Sequence, residues 1–540
     1  NSDTETLLNC IDFWGLEKTL KISNGMFALA LWDKKTRTLS MARDRFGEKP
    51  LYFVKTQKGI FFSSDIKSLL QYSKIKPIVE KENFIHYLAH GYYPQEITPF
   101  KNIKKVNSGA FIEIINNKIH QNKYWSIREG EKIDNEFTIK KISEELKGYI
   151  KKSFISDVPI SLSLSAGLDS SLLASIAKEN KIDINCFCIG YEDKKGLDER
   201  QEAEKFAKDK NLKFKSIEIE ENLDFDSFLE FVECQVTPIA DISGYAQYKI
   251  SKEVSKNNLK VLISGVGGDE IFFGYPYLYD TVILNSKLSF AKKLRGILNK
   301  NFLIFKAINF LRNLRRKSNK IYFLKKTISY LYFILFFLSD KTPAKYPISI
   351  ALSGAPIFFN PQKNISEIRE LINFKENLDF YKFYKKLFKY DKKNLLFWTT
   401  ESVIETWLEG NLLSMSDSVG MGNSVEIRAP FLSKNINNLV NNYYLKKSSF
   451  ELDNKNLLRK ISKNILPSSI IERPKTGFVP PVNSWINKLW DHKIKSINSF
   501  ETLKSLNLLN RNKLKNNKFS GTLKYRLIVA DIWFRKILQN

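Results

Sequence analysis

The segment VPISLSLSAGLDSSLLASIAKEN, residues 158–180, decides the fold. Its opening, VPISLSLS, alternates apolar and small polar side chains as a strand does, and its end, SSLLASIAKEN, has the period of a helix. The loop between them, Ser165–Ser171, consists mainly of small residues. Small residues let the backbone approach an anion closely, and the N–H groups at a helix start bind phosphate oxygens. The segment predicts a phosphate-binding strand–loop–helix unit, with an ordinary serine-capped helix start as the alternative.

The same alternation continues along the chain. The strand patterns INCFCIGYE, KFKSIEIE and KVLISG are separated by the helix patterns ERQEAEKFAKDKN and AQYKISKEVSKN. Strands that alternate with helices indicate an α/β fold, in which a parallel sheet is covered by helices on both faces. Ligands of such sheets bind beyond the carboxyl ends of the strands. We therefore expect a ligand site at that edge.

A second small-residue loop, Ser264–Glu270 with the sequence SGVGGDE, follows the strand pattern KVLIS. It should open at the same edge as the first loop. Its glycines lack the G-x-G-x-x-G spacing of a dinucleotide site, and the chain has no Walker sequence G-x-x-x-x-G-K-S/T. Asp169 and Asp269 can converge on one Mg²⁺ that neutralises the charge of a departing pyrophosphate.

The first 125 or so residues have a different pattern. TLLNCIDFWG predicts a helix, GMFALALWD with TLSMARD and LYFVK with GIFFSS predict two hairpins, and FIHYLAHGYY predicts a further helix. His86 and His90 lie one helical turn apart, but no Glu follows His86 as in H-E-x-x-H, so ordinary histidines are the preferred interpretation over a metal site. The polar stretch 129–137 predicts a linker.

Composition narrows the class of protein. The 540 residues carry a net charge of +28 and are 43% apolar, which is enough for two or more domain cores. Lys is abundant in every part of the chain, so the positive net charge is weak evidence that the protein binds nucleic acid. The positive charge does suit anionic partners such as nucleotides. Four cysteines without zinc-ligand spacing predict buried thiols in a reducing compartment, and no signal-peptide pattern is visible. These features predict a cytoplasmic protein.

Residues 281–339 form an unusual basic stretch. They include 13 Lys and Arg residues and no acidic residue, and they end in the 11-residue apolar run ISYLYFILFFL. A membrane-spanning helix needs about 20 such residues. A helical insertion packed on the domain is the preferred interpretation, and a basic surface in peripheral contact with an anionic membrane is the alternative.

Several motifs, in a fixed order, carry a family resemblance. SAGLDSS, PIAD, SGVGGDEIFFGY, SVEIRAPFL and RPKTGF resemble the synthetase domain of glutamine-hydrolysing asparagine synthetases. SDTETLL, NGMFALALWD, ARDRFGEKPLYF and GYYPQEITPF resemble the second half of the class II glutamine amidotransferase domain of the same family. The wider family also includes enzymes that amidate sugar carboxylates for surface polysaccharides and enzymes that close β-lactam rings.

The resemblance implies the domain organisation. Residues 1–126 would form the C-terminal part of a class II glutamine amidotransferase domain, here a partial Ntn-type αββα fold, and residues 127–140 a linker. Residues 141–540 would form a parallel-sheet ATP-pyrophosphatase domain (PP-loop, HUP-like) with a helical C-terminal part, and 281–339 would be a basic insertion. The family nucleophile is an N-terminal Cys, whereas residue 1 is Asn1. We therefore expect the sequence to be N-terminally truncated and unable to hydrolyse glutamine as written.

The resemblance also implies the reaction. ATP would adenylate a carboxylate with release of pyrophosphate, and ammonia from glutamine would attack the acyl-adenylate to give an amide and AMP. The residues that would bind ATP are Ser165, Gly167, Asp169, Ser170, Ser171, Ile189, Ser264 and Gly265. Asp169 and Asp269 would ligate Mg²⁺, and Asp3 would pair with the α-amino group of glutamine.

Two cations carry the catalytic roles that the resemblance implies. Lys475 of RPKTGF would stabilise the charge that develops on the adenylate, a role that suits a positioned ammonium group. Arg428 of SVEIRAPFL would lie near the reacting phosphates. Each has a structural alternative: Arg428 as the ion-pair partner of Glu426 or Asp417, and Lys475 as a surface lysine.

Three positions depart from the family pattern. Val266 stands where asparagine-forming members carry Glu, which puts aspartate as the substrate in doubt. Ser418 stands where many members have Arg. Ala166 replaces a Gly, and its methyl group is compatible with the loop if the backbone φ is negative.

The predicted function is ATP-dependent amide formation of the asparagine synthase type. The rival is amidation of a uronic-acid sugar in polysaccharide assembly, which Val266 and the basic insertion favour. A different class is a nucleotide- or RNA-binding paralogue without synthetase activity, but no aromatic RNA-binding motif is visible and no nucleic-acid partner is expected. The expected partners are ATP, glutamine or ammonia, and a carboxylate acceptor such as aspartate or a sugar acid. The sequence leaves a homodimer open.

Overall fold

The computed structural model describes most of the chain outside its basic stretch. The described residues are 2–128, 138–191, 198–220, 223–275, 278, 361–372, 395–446, 455–473, 482–495, 500–509 and 519–538. Three predictions fall outside them: the packing of the insertion 281–339, the linker residues 129–137, and the role of Lys475.

The N-terminal region, residues 2–128, contains two antiparallel sheets and four helices. The helices are α1 (Asp3–Trp14), α2 (Leu16–Ile22), α3 (Ile66–Ser73) and α4 (Lys81–His90). The strands are β1 (Ala28–Asp33), β2 (Thr38–Arg43), β3 (Tyr52–Thr56), β4 (Gly59–Ser63), β5 (Lys104–Lys105), β6 (Ala110–Ile115) and β7 (Lys118–Lys123). The sheet orders are β1-β2-β6-β7 and β4-β3-β5. Both predicted hairpins are confirmed, whereas the early helical segment is two helices separated by Gly15 at a φ of 80°.

The second region begins with a five-stranded sheet. Its elements in chain order are α5 (Ile139–Ser153), β8 (Ile160–Ser163), α6 (Leu168–Glu179), β9 (Ile184–Tyr191), α7 (Arg200–Asp209), β10 (Lys213–Ile219), α8 (Phe225–Glu233), α9 (Ser243–Lys256), β11 (Val261–Ile263), α10 (Gly268–Ile271) and β12 (Glu426–Arg428). The strand order is β10-β9-β8-β11-β12, and every pair is parallel. This confirms the predicted α/β fold with a parallel sheet. The short edge strand β12 was not predicted.

The strand order creates a crevice at the centre of the sheet. From β8 the chain moves outward through β9 to β10 on one side, whereas β11 pairs with the other side of β8. The loops after β8 and β11 therefore leave neighbouring strands in opposite directions. Such a reversal of strand order opens a ligand crevice at the carboxyl ends of the strands.

The rest of the second region is helical where it is described, as predicted. Its helices are α11 (Pro361–Ile372), α12 (Leu395–Ser402), a π-helix (Val403–Leu413), α13 (Ser414–Met421), α14 (Lys434–Lys446), α15 (Asn456–Ser462), α16 (Ser468–Ile471), α17 (Val482–Lys495), α18 (Glu501–Ser505) and α19 (Gly521–Leu538). The π-helix was not predicted, because its apolar pattern is that of any buried helix. In the described ranges no helix is both long and apolar enough to cross a bilayer.

The two regions share one hydrophobic core and a buried charge cluster. Glu409 of the π-helix contacts Arg43 at 2.9 Å and Lys105 at 2.7 Å, and all three side chains are at most 3% exposed. At the other end of the interface, Tyr87 of α4 donates a hydrogen bond to the carbonyl oxygen of Arg526 in α19. The N-terminal region is therefore packed firmly against the helical part of the second region.

The cysteines correct one prediction. Cys186 and Cys188 of β9 are buried, but Cys10 and Cys234 are only partly buried. Cys10 lies on α1, a helix that has no buried residue. The prediction of four buried thiols is therefore wrong for two of them.

Candidate active site

The first loop is organised by its serines. Ser165 and Ser170 place their hydroxyl oxygens 3.1 Å apart, and the Ser165 amide donates to Ser170 Oγ at 3.1 Å. Gly167 is the N-cap of α6 and has no side chain to block the helix start. Since Asp169 lies in the first turn of α6, the loop presents backbone N–H groups and one carboxylate at the same place.

The second loop packs directly on the first, and glycines make this contact possible. A methyl group added at Gly265 would lie 3.2 Å from Cβ of Asp169, and one added at Gly268 would lie 2.8 Å from its Cγ. Gly267 has a φ of 92°, which favours glycine. Glu270 accepts a hydrogen bond from the Gly267 amide at 3.1 Å and from Tyr275 Oη at 2.8 Å, which holds the turn closed.

Two carboxylates meet where the loops touch, and a lysine joins them. The Lys455 ammonium contacts Asp269 Oδ1 at 2.9 Å and also pairs with Asp169 Oδ2. Lys455 immediately precedes α15 and has a φ of 58°, which is uncommon for a residue with a side chain. The structure therefore brings Asp169 and Asp269 to one cation, and it adds a cation that the sequence analysis did not name.

Burial perturbs the titration of this cluster. Burial by itself would lower the pKa of Lys455, but Asp169 and Asp269 outweigh it, so the pKa is raised and the ammonium stays charged. Burial and the nearby Asp269 raise the pKa of Glu270 to about 7. Strongly perturbed groups in a crevice are typical of functional sites.

A cavity of about 360 Å³ opens at this edge of the sheet. Of the residues predicted from sequence, Ser165, Gly167, Asp169, Ile189 and Asp269 line it. Its further lining residues include Glu199, Gln247, Val266, Lys455, Arg459 and Arg473. The cavity thus combines an apolar wall with charged groups, as expected of a site for a nucleotide.

The other predicted ATP residues lie behind this lining. Ser170 and Ser171 are buried at the start of α6, and Ser264 is buried at the end of β11, where its amide donates to the carbonyl oxygen of Arg428 at 2.9 Å. Gly265 contributes space for Asp169. Asp3 is exposed in the first turn of α1 and is not among the residues that line the cavity.

The structure does not place the Arg428 side chain at the cavity. Its Nε donates to Glu426 at 2.6 Å, and its Nη1 donates to the carbonyl oxygens of Ser153 at 3.0 Å and Ile155 at 2.7 Å. Because β12 is the edge strand, its last side chain turns toward the loop after α5. This geometry matches the structural alternative, and Asp417 pairs with Lys49 instead.

Ala166 corrects a second expectation. Its φ is 51°, in the left-handed region, and its side chain is fully buried. The condition of a negative φ is therefore not met, and the loop keeps its methyl group at the expense of backbone strain. Ala166 lies in the short turn between the end of β8 and the start of α6, so the strain is local to this loop.

Sequence reasoning missed three cations at the cavity: Lys455, Arg459 and Arg473. Arg473 has a signal, since it begins the RPKTGF motif, and it lies 3.9 Å from both Glu199 and Glu202. Arg459 donates to the Arg473 carbonyl oxygen at 3.3 Å. Lys455 and Arg459 have no such signal, because their segment DNKNLLRK contains neither glycine nor proline and its charged residues resemble those of any exposed helix start.

The carboxylate pair fits a magnesium ion that binds with a nucleotide. Asp169 Oδ2 and Asp269 Oδ1 already converge on one ammonium group, so they can converge on a metal cation. Within the described residues, no group of three His, Cys, Asp or Glu side chains could hold a metal ion. Two carboxylates suit Mg²⁺ when phosphate oxygens and waters supply the remaining ligands.

Comparisons with known proteins agree with this geometry. Residues 141–517 match the family model described as asparagine synthase, and residues 1–125 match the glutamine amidotransferase domain. Asparagine synthetase [glutamine-hydrolyzing] 1 of Bacillus subtilis is 27% identical over 508 residues, which is 92% of this chain and 74% of that protein. Asparagine synthetase [glutamine-hydrolyzing] 3 of the same organism is 26% identical over 541 residues, which is 94% of this chain and 77% of that protein.

Solved structures give a weaker likeness. The glutamine-dependent NAD⁺ synthetase of Acinetobacter baumannii has a TM-score of 0.21 at 12% identity and covers 64% of this chain and 89% of that one. The NH₃-dependent NAD synthetase of Campylobacter jejuni has a TM-score of 0.19 at 16% identity and covers 38% of this chain and 98% of that one. The fold is defined by the strand order and register described above.

Proposed function

The chain belongs to the asparagine synthase family, and from this membership we propose that its cavity adenylates a carboxylate with ATP and that ammonia then converts the acyl-adenylate to an amide. It is an ATP-dependent carbon–nitrogen ligase of the glutamine-hydrolysing asparagine synthase type. Residues 141–540 would be the synthetase domain, residues 127–140 the linker, and residues 1–126 the C-terminal part of the amidotransferase domain that supplies ammonia.

One observation carries this proposal. Two small-residue loops after adjacent parallel strands meet at a cavity of about 360 Å³, where Asp169 and Asp269 converge on one cation. The N–H groups at the start of α6 and the hydroxyl of Ser165 would orient the phosphates. Ile189, at the end of β9, would border the adenosine. An arrangement that holds phosphates and cations together favours departure of pyrophosphate.

The negative charge of the ATP phosphates requires cations in the cavity to bind them. Asp169 and Asp269 would hold Mg²⁺, and such an ion neutralises the developing charge of pyrophosphate. Arg459 and Arg473 line the same cavity and would pair with phosphate oxygens. Lys475 follows Arg473 after one residue, so we keep its predicted role beside the adenylate as part of this proposal.

The acceptor has two candidates. Aspartate is the acceptor in the activity for which the family is named. A uronic-acid sugar is the second candidate, because Val266 lines the cavity with an apolar side chain where asparagine-forming members carry Glu. An apolar wall suits the face of a sugar ring better than the compact, charged aspartate does.

The test is pyrophosphate release with ATP, Mg²⁺ and ammonium chloride, so that nitrogen does not depend on glutamine hydrolysis. L-aspartate is compared with a panel of nucleotide-linked uronic acids. Turnover with aspartate would establish asparagine synthesis, whereas turnover only with a sugar acid would establish polysaccharide amidation. Silence with every acceptor would contradict the proposal and favour a nucleotide-binding paralogue.

A matched pair of variants ties the activity to the cavity. Asp169→Asn should abolish pyrophosphate release, because it removes a charge that lines the cavity and would hold the metal beside the phosphates. Asp183→Asn is the control, since the Asp183 side chain is 73% exposed and pairs only with Lys213 at the surface among the described residues. Equal activity of the two variants would contradict the assignment of the site.

Three finer predictions belong to this proposal. We propose a cytoplasmic location. Two further possibilities stay open: a homodimer, and peripheral contact of the 281–339 stretch with an anionic membrane. Flotation with anionic liposomes at low salt tests the membrane contact, since basic segments bind such surfaces through charge. Light scattering tests the homodimer.

A further inference from the structure

The ammonium group of Lys455 lies on the atoms that would ligate the metal. It contacts Asp269 Oδ1 at 2.9 Å and pairs with Asp169 Oδ2, which comes from the other loop. The Lys455 side chain is 7% exposed, whereas those of Asp169 and Asp269 are 18% and 22% exposed. The lysine is therefore more shielded from solvent than the two carboxylates, and all three side chains line the cavity.

The backbone of Lys455 is an independent sign that this position is held in place. Its φ of 58° is unfavourable for a residue with a side chain, and such residues persist only where their surroundings hold them. Here two ion pairs and the start of α15 hold it. The chain thus adopts a strained turn at the point that delivers the ammonium group to both carboxylates.

An ammonium group and a divalent cation compete for these oxygens. Both need close contact with Asp169 Oδ2 and Asp269 Oδ1, and two cations a few ångströms apart repel one another strongly in a partly buried site. A metal that enters without other anions would have to displace the ammonium group from both carboxylates without adding any negative charge to receive it. ATP changes this balance, because its phosphates offer several negative oxygens that can accept the displaced ammonium and ligate the metal at the same time.

We propose that Lys455 is a built-in counter-cation: it holds the two carboxylates together before nucleotide binds, excludes free divalent metal from them, and moves onto the phosphates when metal and ATP enter together. The inference rests on the proposed function, because it requires a metal–nucleotide complex at this site. Its consequence is an order of binding in which metal enters with ATP and not before it.

Binding of Mn²⁺ tests this order, with free Mn²⁺ followed by its paramagnetic resonance signal and a non-hydrolysable ATP analogue as the nucleotide. Wild-type protein should bind Mn²⁺ at least about tenfold more weakly without the analogue than with it. Lys455→Met keeps much of the side-chain length and removes the charge, so this variant should bind Mn²⁺ without nucleotide at least about tenfold more tightly than wild type does. It should also bind the metal–nucleotide complex more weakly.

Lys463→Met is the matched control, because Lys463 is an exposed lysine just after α15. It should leave every Mn²⁺ affinity at the wild-type value. Equal Mn²⁺ binding by wild-type protein with and without the analogue overturns the inference and leaves the proposed function standing, and this result does not depend on whether the Lys455 variant folds. Equal metal binding by Lys455→Met and wild type also overturns it. Failure of wild-type protein to bind metal even with the analogue overturns the proposed function, and the inference with it.

Discussion

Replacing Glu409 by Gln tests whether the buried charge cluster holds the two regions together. The carboxylate contacts Arg43 at 2.9 Å and Lys105 at 2.7 Å, and its second oxygen accepts the Gln95 amide at 3.2 Å. All three charged side chains are at most 3% exposed, so Glu409→Gln would leave two buried cations without their counter-charge. Removal of one partner from a buried ion pair lowers the free energy of unfolding by about 3–5 kcal/mol. That is a large part of the 5–15 kcal/mol typical of a folded domain.

The assay is urea unfolding followed by far-ultraviolet circular dichroism, with Glu17→Gln as the control. Glu17 contacts Lys21 at 2.6 Å, as close as the buried pairs, but the two side chains are about half exposed, at 56% and 50%. The loss of an exposed pair changes the unfolding free energy by less than about 1 kcal/mol. An equal or smaller loss of unfolding free energy for Glu409→Gln than for Glu17→Gln would refute the prediction. It would mean that burial does not increase the contribution of the Glu409 ion pairs to stability.

Three further predictions concern the loops and one buried histidine. Ala166→Val should lower the free energy of unfolding by at least about 1 kcal/mol more than Ala174→Val does. Both alanines are buried, but only Ala166 has a positive φ, which a β-branched residue tolerates poorly. Chemical unfolding of the two variants measures the difference. Gly268→Ala should weaken metal–ATP binding about tenfold by forcing apart the carboxylates of the two loops, whereas Gly148→Ala, which meets no atom within 4 Å, should leave it unchanged in calorimetry. Burial lowers the pKa of His86 from 6.5 to about 4, so the stability that its neutral form contributes is present above pH 6.5 and is lost as the pH falls toward 4, by up to about 3 kcal/mol. As the pH is lowered from 6.5 to 4, the urea midpoint of His86→Gln should therefore decrease less than that of the wild-type protein.

Local pattern was sufficient to predict much of the fold. The strands β8, β9, β10 and β11 were predicted from short apolar or alternating runs with turn-forming residues at both ends. Their parallel order was predicted because helices separate these runs. The meeting of Asp169 and Asp269 was also predictable, because each follows a strand and carboxyl ends of parallel strands share one edge. These inferences need only information that lies within a few residues of each feature.

The parts that sequence reasoning missed depend on contacts between distant segments. Lys455 reaches a carboxylate 286 residues away, and nothing in its own neighbourhood marks it as a ligand. For Arg428 the sequence left two roles open, and its ion pair with Glu426 depends on where β12 lies in the sheet, which periodicity does not reveal. The positive φ of Ala166 was missed for a different, local reason, since the sequence of a short turn alone does not fix the sign of φ at an alanine.

The contact between α4 and α19 has a consequence for how the protein is made. Tyr87 and Arg526 form a hydrogen bond across 439 residues, and Phe84 packs against Phe534 at a ring distance of 6.2 Å. At synthesis rates of about 5–20 residues per second, roughly 20–90 s separate the appearance of the two partners on the ribosome. During that interval the side chains of α4 that α19 covers lack this contact, and transiently exposed apolar surface of this kind is what chaperones bind. Burial of α4 is therefore completed only after the distant segment that contains α19 has been translated.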